Sequence, residues 1–216
     1  PAPAGPRGGR DLRGRAGRWS RPAARGCVAL IPPPHPDSLA SAPAATDATP
    51  GAVPRAEDEV VRICRELLRI DTSNFGDGSG PGERAAAESV MGRLHEVGLE
   101  PELFESEPGR ASVVVRLEGA DPTRPALVLH GHLDVVPAQA EDWSVDPFAG
   151  EEIDGLLWGR GAVDMKDMDA MILAVVRRMA RAGVVPPRAL RVCFYADEAA
   201  GGALGSPVRG TPPRAR

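Results

Sequence analysis

Apolar positions along the chain fall into helical and strand rhythms. Val60, Val61, Cys64, Leu67 and Leu68 recur at the spacing of one helix face and predict a helix over 57–70. Ala87, Val90, Met91, Leu94 and Val97 predict a second helix that starts at Glu83 and stops at Gly98, placed as a helix C′ glycine. A third helix is predicted over 168–182. Short β-rich runs at 102–104, 112–117, 126–129 and 190–195 read as strands. The runs 112–117 and 126–129 are almost continuously apolar, which predicts interior strands of a covered sheet. Residues 71–82 form a Gly-rich loop. Helices, strands, a helix and a strand in this order predict an α/β fold, a layered mixed sheet flanked by helices.

Composition divides the 216 residues into three stretches. Residues 1–54 are dense in Pro, Ala, Gly and Arg and show no period, so they cannot bury enough apolar surface to offset ordering entropy. They are expected to be a disordered extension. A nucleic-acid arm built on Arg7, Arg10, Arg13, Arg15 and Arg18, or a targeting segment around 27–31, are the alternatives; the first lacks interleaved aromatics, the second a long apolar stretch. Residues 55–205 carry the domain. In 206–216 Pro, Arg and Gly return and the periodicity ends.

Charge and cysteines narrow the classes. The net charge of -4 gives no reason to expect a polyanionic partner, so no nucleic-acid partner is assigned. No apolar run reaches the ~18 residues a bilayer crossing needs, and without a convincing signal segment the expected location is cytoplasmic. The 3 cysteines are odd in number and far apart, which argues against a disulfide framework. Cys64 and Cys193 lie in apolar patterns and read as buried small hydrophobes.

Chemistry-bearing residues collect where predicted strands end, the place at which α/β sheets gather functional groups. The run 126–129 leads into His130-Gly131-His132-Leu133-Asp134-Val135-Val136-Pro137. An imidazole suits zinc, and a nearby carboxylate can accept from its other ring nitrogen and fix the tautomer. Taken alone, two histidines at a strand end are more often ordinary polar residues. A second cluster is Trp158-Gly159-Arg160-Gly161-Ala162-Val163-Asp164-Met165-Lys166-Asp167. It lacks the third glycine of a dinucleotide fingerprint. Its glycines suit a close backbone approach that delivers Asp164 to a site; a helix N-cap is the alternative. A third cluster, Ala196-Asp197-Glu198-Ala199-Ala200-Gly201-Gly202, follows the strand 190–195. Its acids suit a general base or metal ligands, or a polar turn.

Together the segments HGHLDVVP, WGRGAVDMKD and ADEAAGG, with the W-x-x-x-P-F pattern at 143–148, resemble the metallohydrolase family of acetylornithine deacetylase, succinyl-diaminopimelate desuccinylase, carboxypeptidase G and the aminoacylases. The resemblance covers roughly residues 57–205. It implies a zinc-peptidase-like catalytic domain that holds two zinc ions, with cobalt able to substitute, and hydrolyses amide bonds of small peptides or N-acyl amino acids. His132 would bind one metal, Asp164 would bridge both, Asp134 would orient His132, and Glu198 would be the general base. His130 is assigned a structural role. A cis peptide bond between Asp164 and Met165 is also implied.

The chain departs from the family pattern at Ala199. The family places a second, metal-binding glutamate there, and a methyl group cannot ligate. A further acidic ligand, a lid and dimerisation domain, and a final His ligand are expected downstream in the family and are not in this sequence. The chain therefore reads as truncated and without the domain through which many relatives form homodimers. Of the implied metal ligands only His132 and Asp164 are present, so weak or no activity is expected, and restoring Ala199→Glu alone is not expected to rescue it. Residues 212–216 can be encoded by a string that, read one base on, spells His-Pro-Glu-Leu, a stretch carried by family members after the Gly-Gly. A frameshifted tail is the expectation. The rival to an amide hydrolase is a non-catalytic pseudoenzyme or binding module.

Overall fold

The structure, a computed structural model, describes residues 53–205. The expectations placed on residues 1–52 and 206–216 lie outside the described residues.

Helix α1 spans Ala56–Leu68. The Asp58 carboxylate accepts from the Arg55 backbone N–H at 2.8 Å and closes its first turn. Ile63, Cys64, Leu67 and Leu68 are buried, while Val61 is 49% exposed, so the buried face is centred on Ile63 rather than on the Val60-Val61 pair. Helix α2, Arg84–His95, buries Ala86, Ala87, Val90 and Leu94. Its chain reverses at Gly98 with φ 74, the left-handed value a C′ glycine supplies. Helix α3, Lys166–Arg181, starts two residues before the predicted point.

Strands β1 (Glu102–Glu105), β2 (Ala111–Leu117) and β3 (Leu127–His132) precede a hairpin, β4 (Glu151–Ile153) and β5 (Leu156–Trp158); strand β6 is Leu190–Tyr195. The main sheet has the order β1-β2-β6-β3. β6 runs antiparallel to β2 and parallel to β3, so the sheet is mixed as expected. Register places Val113 opposite Phe194 and Val115 opposite Val192. These four side chains are at most 1% exposed and form the core with Ile63, Leu67, Leu94 and Leu173 from the helices. Burying each such side chain stabilises the fold by about 1.5–3 kcal/mol.

Two expectations are corrected. The run 126–129 is expected in the sheet interior, yet among the described residues β3 is an edge strand, with Leu127 47% and Val128 49% exposed. An apolar run reports only that a strand avoids polar residues; it does not report which strands lie beside it. The hairpin β4–β5 has no counterpart in the predicted elements. Its strands are three residues each, too short for a period, but Asp154 and Gly155 between them both have positive φ, 53 and 75, the backbone of a two-residue turn favoured by Asp-Gly.

Cys64 and Cys193 are both buried free thiols, as expected. No helix of the described residues is long and apolar enough to cross a membrane.

Candidate functional site

β3 ends on His132, and the chain then leaves the main sheet. Ser73 and Val135 form an isolated parallel bridge just beyond. The Thr72 hydroxyl donates to the Leu133 carbonyl at 2.7 Å, and the Asn74 N–H donates to the Val135 carbonyl at 2.8 Å. These bonds hold residues 133–135 extended past the strand end, so that His132 and Asp134 point to the same side. Gly131, between the two histidines, cannot be replaced without cost: a Cβ there would overlap the Asp169 carboxylate on α3.

The three motif clusters meet at this point. His132 Nε2 lies 3.0 Å from Asp164 Oδ1 and 3.6 Å from Glu198 Oε2. Its Nδ1 lies 2.9 Å from the Asp134 carbonyl and 3.3 Å from Asp134 Oδ1. His132 and Asp134 are buried, at 7% and 0% side-chain exposure, whereas Asp164 is 86% and Glu198 63% exposed. The site thus has a fixed, buried half and an accessible, acidic half. Asp164 does not cap α3: the N-cap is Met165, and no side chain makes a cap bond. The Asp164–Met165 peptide bond is cis. His130 is exposed on β3, with its ring 5.9 Å from that of Tyr195.

Electrostatics follow from this geometry. Burial alone would lower the His132 pKa, but its bonds to Asp134 and Asp164 outweigh burial and raise it to about 9. Asp134 is penalised by burial, yet donors from His132, Asn74 and the Ala199 and Glu198 backbone hold its carboxyl below the usual range. Burial lowers Lys166 to about 8 despite Asp169 and Asp71 nearby. Its ammonium donates to the Leu67 and Ile70 carbonyls at 3.0 and 2.7 Å, tying the start of α3 to the end of α1. Both Asp169 oxygens are buried without a hydrogen-bond partner, and burial pushes this carboxyl well above its ordinary value.

A cavity of about 460 Å³ opens onto the site, lined by His132, Asp164, Glu198, Ala199, Trp143 and Arg160 among others. The Arg160 guanidinium stacks on the Trp143 ring with its carbon 5.1 Å from the centroid. Its Nε is buried without a hydrogen-bond partner. The Arg160 N–H donates to the Pro147 carbonyl at 2.7 Å, which joins the W-x-x-x-P-F segment to the Gly-Arg-Gly turn.

The donor set fits a metal in kind and falls short in number. With Nδ1–H directed at Asp134, Nε2 faces two carboxylates and, on losing its proton, would offer a metal the lone pair a zinc ligand needs. Ala199 adds only a methyl group to the wall. Among the described residues no group of three or more His, Cys, Asp or Glu side chains is arranged to enclose a metal ion.

Sequence reasoning missed Asn74, Arg110 and Asp169. Asn74 Nδ2 donates to Asp134 Oδ2 at 2.9 Å and to Asp197 Oδ1 at 3.1 Å. Arg110 Nη2 donates to Asn74 Oδ1 at 3.1 Å, and its Nη1 pairs with Glu83 at 2.5 Å. Nothing in a Gly-rich loop or a strand's edge signals such contacts in advance.

Residues 128–211 match the model of Peptidase family M20/M25/M40. The chain is 37% identical over 150 residues to aminoacylase-1 of Sus scrofa, covering 69% of this chain and 36% of that protein. It is 36% identical over 121 residues to succinyl-diaminopimelate desuccinylase of Methylobacterium radiotolerans, covering 55% of this chain and 29% of the relative. Human carnosine dipeptidase 1 superposes with a TM-score of 0.57 at 24% identity, covering 68% of this chain and 34% of that structure, which shows a shared fold. The chain spans about a third of the length of the curated relatives it matches. The family resemblance carried by the three motifs holds over the matched residues.

Proposed function

We propose, from the premise that residues 128–211 are a segment of the M20/M25/M40 peptidase family, that this chain supplies His132, Asp164, Asp134 and Glu198 to a metal-dependent site that hydrolyses amide bonds of N-acyl amino acids or small peptides. The observation that carries this reading is the convergence of His132, Asp164 and Glu198, from three separate segments, within 3.6 Å on the wall of one cavity.

His132 Nε2 and Asp164 would hold zinc, and cobalt as a substitute, at the mouth of the cavity. A metal held by these two residues would supply Lewis-acid polarisation of the amide carbonyl and a lowered pKa for water, towards ~7. Asp134 fixes the His132 tautomer by accepting at Nδ1. Glu198, exposed on the cavity wall, takes the proton from the attacking water and returns it to the leaving amine nitrogen. Arg160 is a cation on the cavity wall, and its guanidinium would meet a substrate carboxylate.

Turnover by this chain is proposed to be weak. In the described residues one imidazole and two carboxylates face the cavity, and Ala199 stands where a third carboxylate would add an anionic donor. Catalytic zinc sites use three protein ligands. The same substitution supports the second reading, a non-catalytic pseudoenzyme that binds acylated amino acids in this cavity. Bound zinc per chain, measured beside hydrolysis of N-acetyl amino acids and dipeptides, separates the two. Slow hydrolysis that is lost in Glu198→Gln supports the enzyme; substrate binding with no hydrolysis at any metal concentration supports the binding module.

A further inference from the structure

Asp134 joins two halves of the site. It meets His132 Nδ1 on one side, and on the other its carboxylate accepts the backbone N–H of Glu198 at 3.0 Å and of Ala199 at 2.9 Å. Whatever sets the position of Asp134 therefore sets both the imidazole and the turn that carries Glu198. Just ahead of Glu198 in that turn, Asp197 is itself buried at 5% exposure, with φ 62 and its Oδ2 accepting the Leu204 N–H at 3.0 Å. Asp134 and Asp197 are two buried carboxylates facing a common point, and their mutual repulsion needs a donor between them.

That donor is Asn74. Its side chain is buried, with the whole residue 4% exposed, and its amide uses its full hydrogen-bonding capacity. The NH2 group is shared between Asp134 and Asp197, and Oδ1 accepts from Arg110 Nη2 and from the Gly76 N–H, each at 3.1 Å. The orientation is fixed, because a flipped amide would set its oxygen against two carboxylates and its NH2 against a guanidinium. Arg110, 5% exposed, is held in turn by Glu83, which is 0% exposed. The Asn74 backbone is tied to Val135 beside Asp134, so side chain and main chain brace the same residue.

We propose that Asn74 is a positioning residue that couples the metal-binding half of the site to the general-base half, with Arg110 locking its amide. Asn74 keeps Asp134 and Asp197 at a fixed separation, and so sets the His132 imidazole and the Glu198 turn in register. This rests on the functional assignment of His132 and Glu198 made above. It adds residues from the loop after α1 and from the position just before β2, neither of which belongs to the motif clusters. Partners that orient a metal-binding His typically change metal affinity by about 10–100-fold when removed.

The test uses the full chain and two readouts: cobalt(II) affinity from its visible absorption, and backbone amide resonances of Glu198 and Ala199 in the metal-free protein. Asn74→Asp keeps size and the acceptor towards Arg110 and Gly76, and replaces the shared donor with a charged oxygen facing Asp134 and Asp197. Asn74→Ala removes both functions. Each is expected to weaken cobalt binding at least ~10-fold and to move or broaden the Glu198 and Ala199 resonances, while amides of Val113 and Val115 stay in place. Restoration of a neutral donor in Asn74→Gln is expected to recover part of both signals. A folded Asn74→Asp or Asn74→Ala protein with cobalt affinity and Glu198 and Ala199 resonances equal to the parent overturns the proposal. If neither Asn74 variant folds, Arg110→Gln carries the same readouts, and unchanged Glu198 and Ala199 resonances there overturn it as well. A parent protein that binds no cobalt contradicts the metal-site reading alone, because displaced Glu198 and Ala199 resonances in the variants still establish the coupling.

Discussion

The His132 Nε2 atom lies 3.0 Å from Asp164 Oδ1 across 32 residues of sequence, one at the end of β3 and the other just before α3. The contact joins a buried imidazole to an exposed carboxylate, and its consequences can be measured without substrate.

In the metal-free chain the bonds of His132 to Asp134 and to Asp164 predict a pH-dependent stability. His132 is raised to about 9 from an ordinary 6.5. The folded state therefore holds its proton more tightly, so the stabilisation is fully present below pH 6.5 and is lost as pH rises through about 9. Each tenfold gain in proton affinity is worth about 1.4 kcal/mol, which puts the loss on the order of 3 kcal/mol. Lys166 acts in the opposite sense: lowered to about 8 from 10.5, it makes the fold gain stability between those values. Urea unfolding across pH 6 to 10 is expected to show a fall followed by a partial recovery. His132→Gln is expected to remove the fall and leave the recovery.

Ala199→Glu is expected to raise cobalt affinity. The Ala199 N–H already bonds to Asp134 at 2.9 Å, so the backbone is placed and the added carboxylate enters the cavity wall beside His132. A gain of about 10-fold or more, typical of one added orienting or ligating group, is the expected outcome in an absorption titration. An unchanged affinity would place the metal elsewhere.

Gly131→Ala is expected to destabilise the fold by about 1–3 kcal/mol, the usual cost of overpacking a tight interior. Its Cβ would overlap the Asp169 carboxylate, which is buried and cannot swing into solvent. Thermal melts of Gly131→Ala and of Gly131→Ala with Asp169→Ala check this. The double variant is expected to recover part of the loss, because the overlapping group is gone.

Arg160→Ala is expected to weaken binding of N-acetyl amino acids and leave binding of their carboxamides unchanged. Arg160 lines the cavity while Trp143 supports its guanidinium face. A carboxylate pairs with the guanidinium charge, whereas an amide brings no charge to it. Calorimetric titration of both ligands into parent and variant gives the comparison; equal losses for the two ligands would remove Arg160 from carboxylate recognition.

The sequence carried much of this site and little of what supports it. His132, Asp134, Asp164 and Glu198 were legible because each follows a strand or a glycine turn in a distinctive string, and those strings keep their order. α1 and α2 were legible because residues such as Cys64, Leu67, Val90 and Leu94, buried in the fold, recur at helical spacing. Asn74 was not, because it sits in a loop without periodicity and its partners lie 60 and 123 positions away. Asp169 looks like a solvent-facing acid on a helix, and only the packing of α3 under Gly131 reveals that it is buried. The edge position of β3 was hidden for a similar reason: apolar content describes a strand's own surface and says nothing of its neighbours.

The central claim is that His132 and Asp164 bind a metal in front of Glu198. Cobalt(II) titration of the full chain, followed by visible absorption, tests it most directly. The account predicts weak, saturable binding that is abolished in His132→Ala and Asp164→Ala and survives in Glu198→Gln. Binding that is equal in the parent, His132→Ala and Asp164→Ala proteins would contradict it.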